Sequence, residues 1–170
     1  YATIDAAWDG GVRLFDTAAL YGHGLSESRL GTALRSRPRD QFVLSTKVGR
    51  LLRVVRPRPA TIFAGVGQLD PVFDFSRDGV RQSIDESLRR LGVDHLDVVH
   101  VHDPDDHEAQ ALDEALPALI ELRQQGVVGM VGCGMNQTAM LERFVDRVDL
   151  DCVLVAGRYT LLDRSAADTL

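Results

Sequence analysis

Cysteine is scarce in this sequence: Cys133 and Cys152 are the only two, and each sits inside an apolar run. Thiols so few and so placed read as buried and free. That excludes a disulfide-stapled secreted scaffold and points to a reducing, cytoplasmic compartment. A basic excess is also missing. Nineteen Lys and Arg against 25 Asp and Glu leave a formal net charge of -6, which argues against a nucleic-acid partner. The one basic cluster, Arg50, Arg53, Arg56 and Arg58, reads as a solvated loop. No apolar run approaches the ~20 residues that span a bilayer, and no leader opens the chain, so no membrane partner is expected. The first residue is Tyr1 rather than Met, which suggests that the protein begins upstream. Composition carries no signal for an oligomeric state. With 170 residues, the chain is long enough to bury one core.

What is present is an alternation. Short runs rich in Val, Leu and Ile occupy residues 12–17, 42–48, 96–102, 127–132 and 152–159. Apolar on both faces, they predict strands of a parallel sheet covered by helices. Between them, Ser26 and Glu27 open a predicted helix towards Arg35. Ser76 caps another, whose stripe Val80, Ile84, Leu88 and Leu91 closes at Gly92. A third runs from Leu112 to Gln125, with Pro117 predicting a kink or a later start. Tyr1 to Trp8 reads as the tail of an earlier helix, and residues 164–170 as the start of a last one. The segment from Leu51 to Phe75 has no clear period and predicts a long loop over the site that helps choose the substrate.

Repeated βα units allow an open doubly wound sheet or a TIM barrel. The open sheet wants a glycine-rich phosphate turn after its first strand; Tyr21-Gly22-His23-Gly24 lacks its spacing. The barrel is preferred. Eight units take about 250 residues, so the chain predicts an incomplete (β/α)8 barrel of about five units. On this reading residues 1–170 form a single partial domain cut at both ends.

Polar residues interrupt the strands at one end. Asp16 closes Val-Arg-Leu-Phe-Asp and Tyr21 follows it; Lys47 closes Phe-Val-Leu-Ser-Thr-Lys; His102 closes Val-Val-His-Val-His. Carboxyl ends of barrel strands line the catalytic face, so these four are expected to meet. A free phenol, with a pKa near ~10, is a poor proton carrier at neutral pH, and a neighbouring ammonium favours its phenolate. Lys47 is expected to supply that charge, Asp16 to hold the lysine, His102 to orient a substrate oxygen, and Tyr21 to carry the proton.

Phe15-Asp16-Thr17-Ala18 with Tyr21-Gly22 and Ser26-Glu27, then Ser45-Thr46-Lys47-Val48-Gly49, resemble the aldo-keto reductases. Ser87-Leu88, Arg90-Leu91-Gly92, Asp97 and His102-Asp103-Pro104 continue the likeness in order. The resemblance implies a NAD- or NADP-dependent oxidoreductase with Asp16, Tyr21, Lys47 and His102 as its catalytic tetrad. His102-Asp103-Pro104-Asp105, Gly134-Met135-Asn136-Gln137 and residues 156–160 look most like aldose 1-dehydrogenases and the related pyridoxal dehydrogenases. The implied substrate is therefore a small sugar or aldehyde. Many members place Ser-Asn after the fifth strand to grip the nicotinamide carboxamide. Here Gly134-Met135-Asn136 makes Asn136 the implied cofactor contact, in a shifted register. The family's phosphate-binding segment would lie past Leu170, which leaves NAD and NADP both open.

Two other readings stand beside this one. His100 and His102 alternate on one strand and would suit a metal-dependent barrel hydrolase, although no acidic residue completes an obvious ligand set. A nucleotide-binding barrel subunit without turnover is the other, since fold does not fix function.

Overall fold

The computed structural model describes residues 1–168 of the chain. Five parallel strands form its sheet: β1 (Leu14–Asp16), β2 (Val43–Val48), β5 (Leu96–His102), β6 (Val128–Met135) and β7 (Cys152–Val155), in the order β1-β2-β5-β6-β7. Strands β3 (Arg50–Arg53) and β4 (Asp70–Phe73) make a separate antiparallel pair. Helices α1 (Ala2–Asp9), α2 (Leu25–Leu34), α3 (Arg77–Leu91), α5 (Leu116–Gln124) and α6 (Thr138–Arg147) connect and cover the sheet. A short α4 (Glu108–Gln110) leads into α5 through a π-helical turn at Ala111–Ala115. This is a parallel half-barrel, five strands of a (β/α)8 design.

One face of the sheet buries Leu44, Val48, Val99, Val101, Val131 and Cys133, none more than 1% exposed, against the helices. The other face is built in rows set by strand register. Leu14 pairs with Val43; Asp16, Ser45, Val98 and Met130 form the next row. Lys47, His100, Gly132 and Cys152 form the third, and His102, Gly134 and Leu154 the last. Such rows are how barrel interiors are filled, and here polarity rises towards the carboxyl ends. Gly132 is required in its row: a Cβ there would stand 2.7 Å from His100 Nδ1 and 2.5 Å from the Cys152 carbonyl.

At the opposite end, two aspartates tie strand starts together. Asp97 accepts from the Leu44 N–H at 2.7 Å and from Arg39. Asp151 accepts from the Val131 N–H at 2.8 Å and from Arg123. Each satisfies a backbone donor that the sheet leaves open.

Several sequence expectations are corrected. Ser26 does not cap α2, whose N-cap is Gly24 in a left-handed conformation; its hydroxyl instead accepts from Thr17 Oγ1. Glu27 is fully buried, taking hydrogen bonds from Thr46 Oγ1 and Arg90 Nε. The helix expected from Leu112 begins at α4, and Pro117 stands in the first turn of α5, where a missing N–H is tolerated. Strand β6 runs on to Met135, while β7 stops at Val155, short of Tyr159. The stretch 51–75 holds the β3–β4 pair rather than loop alone. Ser165–Asp168 form a 3-10 turn, and the rest of the helix start expected at 164–170 lies outside the described residues. Ser76 and Gly92 bound α3 as expected. Among the described residues no helix is long and apolar enough to cross a membrane.

Candidate active site

The register of β1 and β2 sets Asp16 opposite Ser45, with Lys47 one row further along the same face. Lys47 Nζ donates to Asp16 Oδ2 at 2.5 Å and to the Thr17 carbonyl at 2.8 Å. Ser45 Oγ donates to the other carboxylate oxygen, Oδ1, at 2.7 Å. The lysine side chain is 2% exposed against 34% for Asp16. An ammonium so deeply placed needs a countercharge and hydrogen-bond acceptors, and this arrangement supplies both. Lys47 is also the only lysine in the sequence; the other 18 basic residues are arginines.

Tyr21 follows β1 in a tight turn. Its N–H donates to the Ala18 carbonyl, and the positive φ of Gly22, His23 and Gly24 folds the chain back into α2. That geometry faces its ring towards Lys47 Nζ, 4.8 Å from the ring centroid. The His102 imidazole meets the same ring edge-on, with centroids 5.9 Å apart. The structure thus brings Asp16, Tyr21, Lys47 and His102 together at the carboxyl ends of three strands.

Burial pushes the His102 imidazole down to about 3, with the positive Arg50 and Lys47 acting in the same direction. His100, a row below, is pushed down to about 4, again chiefly by burial. Its Nδ1 has no hydrogen-bond partner among the described residues. Both rings are therefore neutral across the ordinary pH range. Among the described residues no group of three or more His, Cys, Asp and Glu is arranged to hold a metal ion.

Asn136 makes no hydrogen bond or ring contact with these four among the described residues. It is exposed just past β6, and its carbonyl accepts from Arg158 Nε at 3.3 Å. Beside it, Gln137 donates through Nε2 to Asp105, while its buried Oε1 has no partner among the described residues.

Three contributions escape a reading of the strand ends alone. Ser45 steadies Asp16; the i, i+2 spacing of Ser45 and Lys47 is the sequence signal for it. Arg50, at the start of β3, reaches back to the His102 carbonyl at 3.1 Å and to Asp103 Oδ2 at 3.3 Å, its guanidinium over the Phe73 ring. Asp103 Oδ2 also lies 3.3 Å from His102 Nε2. The long connection between β3 and β4 is anchored to the Tyr21 turn. A carbonyl can only accept, so His23 Nδ1 carries the proton it gives to the Leu69 carbonyl at 2.8 Å. Thr61 Oγ1 meets its Nε2 at 3.1 Å. The buried Asp70 pairs with Arg58 close by. Phe63 and Ala64 of this segment line a cavity of about 730 Å³ together with Asp16, Tyr21 and Ser26.

Comparison with known proteins identifies the family. The model of the Aldo/keto reductase family matches residues 1–170. The chain is similar to D-threo-aldose 1-dehydrogenase from a Pseudomonas species, 46% identical over 98% of this chain and 53% of the relative. Pyridoxal 4-dehydrogenase from Microbacterium luteolum is 39% identical over 96% of this chain and 54% of its own length. Among solved structures, a putative aldo-keto reductase from Pseudomonas aeruginosa superposes with a TM-score of 0.75, at 30% identity over 99% of this chain and 58% of that one. The chain spans about half the length of these relatives. On the match of its whole length to the family's model and on these likenesses, the chain belongs to the aldo/keto reductase family.

Proposed function

We propose that residues 1–170 form one partial barrel domain that carries the proton-transfer machinery of a NAD- or NADP-dependent oxidoreductase. Its proposed reaction is the oxidation of a small aldose at C1 to the lactone, or of a related alcohol to the aldehyde. The observation that carries this reading is the convergence of Asp16, Lys47, Tyr21 and His102 on one mouth. Tyr21 is the proton carrier. In oxidation it takes the proton of the C1 hydroxyl, and the Lys47 ammonium facing its ring offsets the negative charge this requires. Asp16 fixes that ammonium with the help of Ser45 and the Thr17 carbonyl. His102, neutral because it is buried, serves the substrate oxygen as a hydrogen-bonding group and adds no charge.

Bound nicotinamide supplies the hydride chemistry. The chain's own residues fit such a group at the end of β6. Asn136 is exposed there and the Oε1 of Gln137 lacks a partner among the described residues, so a carboxamide finds both a donor and an acceptor. The sugar assignment is supported by the likeness to D-threo-aldose 1-dehydrogenase. The lining of the cavity beside Tyr21 by Phe63 and Ala64 supports a role for the β3–β4 connection in selecting among substrates. The free thiols of Cys133 and Cys152 suit a reducing, cytoplasmic setting.

The test is Tyr21→Phe in the intact protein, assayed with several aldoses and both nicotinamides. Removing a positioned acid-base group typically lowers turnover by ~10²- to 10⁴-fold. A fall of that size with unchanged cofactor affinity supports the reading. Full activity in the variant refutes it, and cofactor binding without turnover of any aldehyde or alcohol by the unaltered protein moves the case to a nucleotide-binding subunit.

A further inference from the structure

His102 is followed by a residue in an unusual place. Asp103 has φ of +43°, a left-handed conformation that non-glycine residues rarely adopt and that proteins keep mainly where it serves a site. Two contacts hold it there. Its N–H donates to the Gly134 carbonyl at 3.0 Å, the residue paired with His102 across β5 and β6. Its Oδ2 receives Arg50 Nη2 at 3.3 Å. Arg50 is itself fixed by the His102 carbonyl and by stacking on Phe73, and its side chain is only 12% exposed. The carboxylate is thereby pinned 3.3 Å from His102 Nε2. Asp103 does not cap a helix, since the next one starts only at Glu108. Oδ1 makes no hydrogen bond among the described residues, and the side chain is 36% exposed, open to a ligand.

A neutral imidazole has one N–H, which the reacting oxygen of the substrate takes, and a carboxylate only accepts. Asp103 Oδ1, without a hydrogen bond among the described residues, is then an acceptor beside that oxygen. A hydroxyl next to the reacting carbon donates to it, and a substrate that lacks one leaves it to water. We propose that Asp103, held by Arg50, is a specificity-determining residue through which this site reads a substrate hydroxyl beside His102 and favours polyhydroxylated substrates over simple carbonyl compounds. The inference deepens the oxidoreductase reading above and rests on it.

The experiment compares two three-carbon aldehydes, glyceraldehyde and propanal, which differ only in the hydroxyls of the first. The intact protein is assayed with reduced nicotinamide cofactor, and aldose oxidation is measured in parallel. A hydrogen bond to a charged group contributes about 1.5–3 kcal/mol, so Asp103→Ala should lower kcat/KM for glyceraldehyde by about 10-fold or more, mainly through KM. The propanal value should stay within about 2-fold. Asp103→Asn, which keeps the shape and one acceptor oxygen, should fall between. Melting temperature and cofactor affinity of both variants identify any loss of fold. A glyceraldehyde preference that survives Asp103→Ala overturns the proposal, as does an equal loss with both aldehydes in a folded variant, or no preference in the unaltered protein. If no aldose is oxidised yet the preference exists and vanishes with Asp103, the aldose assignment falls and this proposal stands.

Discussion

Lys47 is the residue at which sequence and chemistry meet most sharply. Eighteen positions of this chain use arginine where a cation is wanted, and one uses lysine. A surface charge would tolerate either. An ammonium within 2.5 Å of Asp16 and 2.8 Å of the Thr17 carbonyl, in a pocket that leaves it 2% exposed, does not. Guanidinium is planar, larger and built to bind in a fork. Lys47→Arg should therefore keep the charge and lose the function: displaced from beneath Tyr21, it is expected to lower turnover on the order of 10²- to 10³-fold, as removal of one preorganised charge-stabilising donor does. Steady-state kinetics of the intact variant, with cofactor affinity as the control, measures this. Activity within a few-fold of the parent would mean that charge alone suffices and that the fit of the ammonium is incidental.

At the scale of the elements, helix α2 positions the Tyr21 turn, and its own position is set by α3. Gly31 of α2 lies directly against the last turn of α3, where an added Cβ would stand 2.2 Å from the Leu91 carbonyl oxygen. Backbone cannot swing aside as a side chain can. The two helices are joined on the other side by Arg90 Nε and the buried Glu27 at 2.6 Å, so separating them strains an ion pair as well. Gly31→Ala is expected to destabilise by about 1–3 kcal/mol, the usual range for overpacking. A chemical-denaturation midpoint checks it, and an unchanged midpoint would show that the helices separate freely. None of this was legible in the sequence. Glu27 reads there as a helix-start residue, and Gly31 as an ordinary glycine inside a helix. Their roles depend on a neighbour some 60 residues away. The strands were legible because Val, Leu and Ile cover both faces, and the meeting of Asp16, Tyr21, Lys47 and His102 because each ends a strand or follows one. The β3–β4 pair was hidden for a similar reason. Arg50–Arg53 and Asp70–Phe73 are short, and their pairing is seen only when Arg50 finds Phe73 across 23 positions. Asn136, the implied cofactor contact, was drawn from resemblance alone; no strand-end pattern marks it, and it is exposed just past β6.

At the scale of the whole molecule, the rows of the inner face couple the proposed catalysis to stability. The same burial that keeps His102 neutral also keeps His100 neutral in the row of Lys47. Both values, about 3 and about 4, lie below the 6.5 of an exposed imidazole. As pH falls below 6.5 the unfolded chain takes up protons that the folded protein refuses, so stability drops. At most about 1.4 kcal/mol per pH unit is lost for each ring, until the pH reaches the folded values. Carboxylates held low by partners, such as Asp151 with the Val131 N–H and Arg123, lose their contribution only further into acid. Asp103 works in the opposite sense, since burial raises its pKa and the folded state takes its proton first. It is one partly buried group against two buried rings. Going from about pH 7 to about pH 5 should then lower the unfolding free energy of the intact protein by up to about 2 kcal/mol per histidine. His100→Leu, which removes one of the two titrating rings without touching Tyr21 or Asp16, should roughly halve that slope. Urea denaturation at several pH values gives both numbers. A stability that is flat from pH 7 to pH 5 would mean that these imidazoles protonate in the folded state, and that His102 meets its substrate as a cation.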